Sequence, residues 1–274
     1  MTIFLFLFLL TSILSPVHAS DPQDAAITST PTPIPTAVIN LDLFEQYKKD
    51  YLYQRDKYNE AYLNYTEKKQ VHTKYGTLTT KQEKIDATKK VLVARNTMLR
   101  TYTMALRVYL DKYRTASETN TQKLQIDLSK WEDWFEEQNL VVDALLNEED
   151  IKRNSEDFSR KWIEIQTTFY TALTQNQVNQ KTITLDQIKQ LSNDIQTSPD
   201  IKPESQEWLS PLAVDTDLIN ESLKKTITFT QKTQNNKFEN FYPSAQKEIN
   251  KVNTYLSEMV SNLKSVVIKF SVTQ

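Results

Sequence analysis

The side chains able to do chemistry are few, and they sit close together. In KWEDWFEEQ, residues 130–138, Trp131, Trp134 and Phe135 stand among four carboxylates. Glu132 and Glu136 are four residues apart, the spacing at which two carboxylates on one helix can share a metal ion, yet no histidine accompanies them and no second matching motif completes a site. NEEDIKRNSED, residues 147–157, is acidic and contains asparagine but lacks the central glycine and ligand spacing of an EF-hand. It reads as an acidic junction leading into a helix after Ser155, where the helix dipole favours Asp and Glu.

Nucleophilic and metal chemistry are short of parts. There is no cysteine, and the two histidines are His18 and His72. One histidine beyond the leader cannot build a zinc site of the usual kind, a Cys–His pair or a histidine-ligated haem. A Ser–His–Asp arrangement would have to use His72, near a helix end and without any G-x-S-x-G. The one glycine, Gly76, excludes phosphate-cradling loops and most sheet folds, which need glycine at several positions. A hydrolase with paired carboxylates needs two acids facing across a cleft, and no spacing selects such a pair. The expectation is a protein that is not an enzyme and uses no cofactor, metal or small-molecule substrate.

The elements that carry these residues are helices. Phe44, Tyr51, Tyr58 and Tyr65 recur every seven residues, with Tyr47 and Tyr62 between them at helical spacing. At 100° per residue these six occupy an arc of about 60°, with Tyr53 on the opposite side. Ile85, Leu92, Leu99, Leu106 and Tyr113 repeat in the same way, supported by Tyr102 and Tyr109. Between the two runs, Gly76 suits a left-handed C-cap, and Thr80 with Glu83 suits a capping box. The seven-residue period predicts a left-handed supercoil. The fold class expected is all-α, an elongated bundle of long amphipathic helices with an N-terminal antiparallel coiled-coil-like hairpin over 41–115. If Leu41 lies near Tyr113, Tyr62 falls near Leu92.

Beyond the hairpin an acidic helical region, 116–197, contains a third helix through Trp131 and Phe135 and a fourth after Ser155. In the KWEDWFEEQ helix the aromatics face the core and the four acids face solvent. QNQVNQKT, 175–182, is poor in apolar residues and marks a weak point. Pro199, Pro203 and Pro211 define a loop over 198–214. A C-terminal helical region, 215–274, follows, kinked near Pro243, with a short terminal strand as an alternative at Ile268, Phe270 and Val272.

Charge divides along the chain. Residues 41–115 carry 16 Lys and Arg against 9 Asp and Glu, whereas residues 116–217 carry 9 against 20. Acidic helices packed beside basic ones explain this within one molecule; head-to-tail assembly explains it between molecules. Nucleic acid is not expected, since the total is −2.

The leader places the protein outside the cytoplasm. Ile3 to Leu14 is a signal-peptide-sized apolar run, and Val17 and Ala19 supply the small residues before a cleavage site. The expectation is a signal peptide over 1–19 cleaved near Ala19, an uncleaved anchor being the alternative, since the n-region has no Lys or Arg. A Thr/Pro-rich tether spans 20–40, where alternating Pro31, Pro33 and Pro35 favour extended backbone. Asn64 and Asn220 match the glycosylation pattern. The function expected is an exported, secreted or extracytoplasmic, non-catalytic interaction or scaffold protein. It would be a surface component, a pilus or secretion accessory, an adhesion stalk or a holding chaperone. Its partner is a protein or a second copy of itself, and its interaction stripe is Phe44, Tyr47, Tyr51, Tyr58, Tyr62 and Tyr65. A membrane-active amphipathic protein is the alternative, disfavoured because the polar faces mix both charge signs.

Overall fold

The computed structural model describes residues 37–114, 119–197, 209–231 and 238–272. The expected signal peptide and the tether as far as residue 36 lie outside the described residues. Six helices account for nearly all of what is described: α1 (Ala37–Tyr75), α2 (Leu78–Lys112), α3 (Thr119–Ala144), α4 (Glu148–Thr197), α5 (Ser210–Gln231) and α6 (Phe238–Val272). Together they form an all-α bundle, with no strand among the described residues.

Gly76 ends α1 in the left-handed conformation, φ 60°, and its N–H donates to the His72 carbonyl at 2.8 Å. A glycine meets no steric penalty there, so the chain reverses at once. The N-cap of α2 is Thr77, whose hydroxyl accepts from the Thr80 N–H at 3.2 Å. The expected box at Thr80 and Glu83 is therefore displaced by one turn. Glu83 pairs instead with Lys68 of α1 at 3.0 Å.

α1 and α2 run antiparallel, with Phe44 opposite Tyr109, Tyr51 opposite Tyr102 and His72 opposite Thr80. This register lies one residue from the expected one. α1 begins at Ala37, so the last four residues assigned to the tether are helical. α3 returns antiparallel along α2, tied by Arg107 to Glu132 and Arg100 to Glu136.

α4 starts at Glu148, not after Ser155, and Asn147 caps it: the Asn147 side chain accepts from the Asp150 N–H at 3.0 Å, and Glu148, Glu149 and Asp150 fill the first turn. An asparagine cap followed by three acids satisfies the free N–H groups and the dipole together. At 50 residues α4 is about 75 Å long. Its first half packs on α2 and α3 and its second half on α5 and α6. The first half contributes Ile151 to a core with Ile85, Leu92 and Val142, and its Ile165 and Phe169 are fully buried. The second half contributes Leu185 and Ile188 to a core with Ile219, Leu223, Val252 and Met259.

The expected weak point at 175–182 is thus the middle of the longest helix. Gln175, Asn176 and Asn179 are buried there because helices lie on several sides. Gln175 donates to Asn179 at 2.8 Å, and in the same stretch Gln180 donates to the Tyr109 hydroxyl at 2.5 Å and Gln246 of α6 to Gln177 at 2.7 Å. The loop placed at 198–214 ends earlier than expected, since α5 begins at Ser210 with Pro211 in its first turn, where a missing N–H costs nothing. Pro243 lies inside α6, near its start, and α6 continues as helix to Val272, so the strand alternative falls.

Candidate interaction site: an aromatic seam on the first helix

The stripe read from α1 has two fates. Phe44 and Tyr51 are buried, at 7% and 6% exposed. Phe44 stacks on Tyr109 at 4.7 Å, and Tyr51 meets Tyr102 at 5.4 Å; Tyr102 in turn contacts Phe169 of α4 edge-on at 5.0 Å. α2 therefore carries rings that touch α1 on one side and α4 on the other. A step of seven on α1 and α2 is close to two full turns, so each helix returns the same face.

Further along, the rings of α1 turn to one another. Tyr58 and Tyr65 are partly exposed, Tyr62 is 50% exposed, and Tyr62 lies 6.2 Å from Tyr58 and 6.1 Å from Tyr65. Leu63, beside them, is 70% exposed. Tyr47 is half-buried, and Tyr53 faces away as expected. The cause is architectural: α1 makes its sustained contact with α2 alone. One neighbour can cover only part of a helical stripe, and α2 has no aromatic residue before Tyr102, so past Tyr51 no ring of α2 faces the stripe and Tyr62 stays at the surface.

Burial raises the phenols that do go inside. Desolvation holds Tyr51, Tyr58, Tyr109 and Tyr170 above the ordinary tyrosine value, Tyr102 well above it, and Tyr242 at about 12. The neutral phenol is the form that tolerates these sites.

The third step of the seam departs from the first two. Opposite Tyr58, where the heptad of Tyr109 and Tyr102 leads, stands Arg95. Its guanidinium carbon lies 3.3 Å from the centre of the Phe158 ring. Burial lowers this guanidinium to about 10, the nearby Tyr58 phenol acting in the opposite direction. The hydrophobic period could not reveal Arg95, because a periodicity search scores only apolar residues; its seven-residue offset from Tyr102 was the available signal.

KWEDWFEEQ divides differently from expectation. Phe135 is fully buried, and Trp131 and Trp134 are partly exposed; the Trp131 indole N–H donates to the Thr168 hydroxyl at 3.1 Å. Asp133, Glu136 and Glu137 are exposed as expected, but Glu132 is buried. It accepts a two-pronged bond from Arg107, Nε to Oε1 at 2.8 Å and Nη2 to Oε2 at 3.1 Å. Glu132 and Glu136 each engage an arginine of α2, and no cluster of three metal-binding side chains occurs among the described residues.

Part of the charge division is met within the chain. α2 carries eight Lys and Arg against three acids. Arg100 and Arg107 reach α3, and Lys81 and Lys84 reach Glu148 at the start of α4. Among the described residues no helix is long and apolar enough to cross a membrane. Compared with known proteins, the chain matches no protein-family model, no curated protein and no solved structure.

Proposed function

We propose that the protein is an exported, non-catalytic interaction or scaffold protein, and that α1 and α2 form a left-handed coiled-coil hairpin whose outer tyrosine face meets a protein partner or a second copy. One observation carries the reading: Tyr62, Leu63 and Tyr65 form an apolar and aromatic patch on a helix with a single sustained neighbour. Tyrosine combines a large rigid contact area with a hydroxyl that tolerates water, which suits a surface that is wet until a partner covers it. Extracytoplasmic location rests on the leader sequence, and the supercoil on the seven-residue spacing of the Phe44–Tyr109 and Tyr51–Tyr102 contacts.

The test is a double substitution, Tyr62→Ser with Leu63→Ser. Both side chains are half exposed or more, so stability should change by less than about 0.5 kcal/mol. Association, measured by sedimentation for self-assembly and by crosslinking in the native envelope for a partner, should fall. A wild-type chain that stays monomeric and crosslinks to nothing would sink the proposal, as would turnover of a substrate in an unbiased hydrolase screen. Co-sedimentation with anionic liposomes at low salt, abolished by the same substitutions, would shift the reading to a membrane-active protein.

A further inference from the structure

Arg95 breaks the seam to which it belongs. Tyr109 and Tyr102 each place a ring between α1 and α4, and the next heptad position offers a cation in the same place. Every other arginine within the described helices has a carboxylate in reach: Arg55 has Asp56, Arg100 has Glu136, Arg107 has Glu132, Arg153 has Asp150 and Arg160 has Asp157. Arg95 has none. Its Nε and Nη2 donate to the Asn96 Oδ1 at 3.3 and 3.1 Å, and its planar face lies on Phe158. A guanidinium holds five N–H donors in a fork, so one amide oxygen leaves most of that capacity unused. Beside it Asn96 is fully buried, and its Nδ2 has no acceptor. Asn96 thus holds a buried donor without an acceptor, beside a partly exposed guanidinium that, alone among the arginines of the described helices, has no carboxylate in reach.

The surroundings are aromatic. Phe158 stacks with Trp162 at 5.8 Å and contacts Trp134 at 5.5 Å, while Tyr58 stands on the α1 side. A ring face offsets part of the cost of burying the cation, but it supplies no acceptor. A tyrosine or methionine at 95 would continue the apolar seam at no such cost, and residues that break a local rule in this way mark functional positions. We propose that Arg95 receives a carboxylate from an acidic segment of a partner protein, the partly exposed Tyr58 and Trp162 flanking the stem of that side chain while the buried Phe158 holds the face of the guanidinium. A single guanidinium matches a singly charged carboxylate. On the flanking helices Arg55, Lys57 and Lys161 already pair with Asp56, Glu60 and Glu164, so a doubly charged phosphate would have to displace a carboxylate to gain a second cation from them. This inference rests on the interaction reading and adds the chemistry of the partner.

The experiment titrates the intact chain with short poly-L-glutamate, following tryptophan fluorescence and calorimetric heat. It compares wild type with Arg95→Met, Arg95→Lys and, as a control for lost charge on the same helix, Lys90→Met. Methionine keeps the apolar contact with Phe158 and removes the fork; lysine keeps the charge and loses the two-pronged geometry. Wild type and Lys90→Met should bind within twofold of each other. Arg95→Met should bind at least tenfold more weakly while unfolding at the same or higher urea concentration, and Arg95→Lys should fall between. Equal binding by Arg95→Met would overturn the proposal. So would an Arg95→Met protein that unfolds at clearly lower urea, which makes the residue structural, and so would inorganic phosphate displacing the polymer at lower concentration than acetate does. A wild-type chain that loses a crosslinked partner on Tyr62 substitution yet ignores poly-L-glutamate overturns this inference and leaves the interaction reading standing; one that shows neither overturns both.

Discussion

Removing Arg107 should cost several times more than removing Glu132, although the two share one interaction. The Glu132 side chain is 10% exposed and that of Arg107 is 39% exposed. In Glu132→Gln the guanidinium loses its carboxylate but still reaches water, and the amide oxygen can accept one of the two bonds. The cost should be about 1 kcal/mol, as for a partly exposed pair. In Arg107→Gln the carboxylate is left charged in a site that almost excludes solvent. An orphaned buried charge costs about 3–5 kcal/mol, and the open side of this pair places the value near about 3. The double variant removes both charges and should cost less than the sum of the singles, with a coupling of about 2 kcal/mol between them. Urea unfolding followed by circular dichroism measures all three, and thermal midpoints should fall by about 2–4 °C for each kcal/mol in a chain of this scale. Single variants that agree within about 0.5 kcal/mol would refute the reasoning, because they would show that water reaches Glu132 as easily as Arg107.

Two further outcomes follow from the same structure. Tyr51, Tyr58, Tyr102, Tyr109, Tyr170 and Tyr242 hold raised pKa values because the neutral phenol is the buried form. The folded state therefore binds these protons more tightly than the unfolded chain, whose tyrosines titrate near about 10. The stability they contribute is complete below that pH and is lost as pH rises through the folded values, reaching about 12 at Tyr242. Absorbance at 295 nm should complete its rise only as helicity at 222 nm is lost; full phenolate absorbance from a helical chain would contradict the burial. At the α1–α2 turn, Gly76→Ala places a Cβ at φ +60° with nothing within 4 Å, so the whole cost is backbone strain. It should destabilise by about 1–2 kcal/mol, and Gly76→Asn by less, since asparagine tolerates the left-handed region. No change in the urea midpoint for the alanine variant would show that the turn can re-form without that conformation.

Local order along the chain was legible because helix formation is a local matter. The periods of Phe44, Tyr51 and Tyr58 and of Leu92, Leu99 and Leu106, with Gly76 between them, set two helices, their turn and their register to within one residue. The absence of glycine and proline from 80 to 198 likewise made helix the natural state of the acidic region, which a polar cap at Asn147 divides into α3 and α4. Three things waited for the tertiary structure. The amide-rich stretch at 175–182 looks like a break by composition, but neighbouring helices enclose it and its amides bond across to them, so one helix of 50 residues runs through both cores. Glu132 looks solvated by helical period, yet an arginine 25 residues away on α2 draws it inside. Arg95 is invisible to any apolar pattern, and only the arrival of Phe158 from α4 gives it a place in the seam. The sequence alone determines periodicity, caps and charge, because these depend on residues a few positions apart. How many neighbours each helix acquires is a property of the assembled bundle. So is which side chain of that neighbour each ring meets: Tyr51 packs on Tyr102 of α2 and is core, whereas Tyr62 meets the rings of Tyr58 and Tyr65 on its own helix and is surface, although the same period carries both.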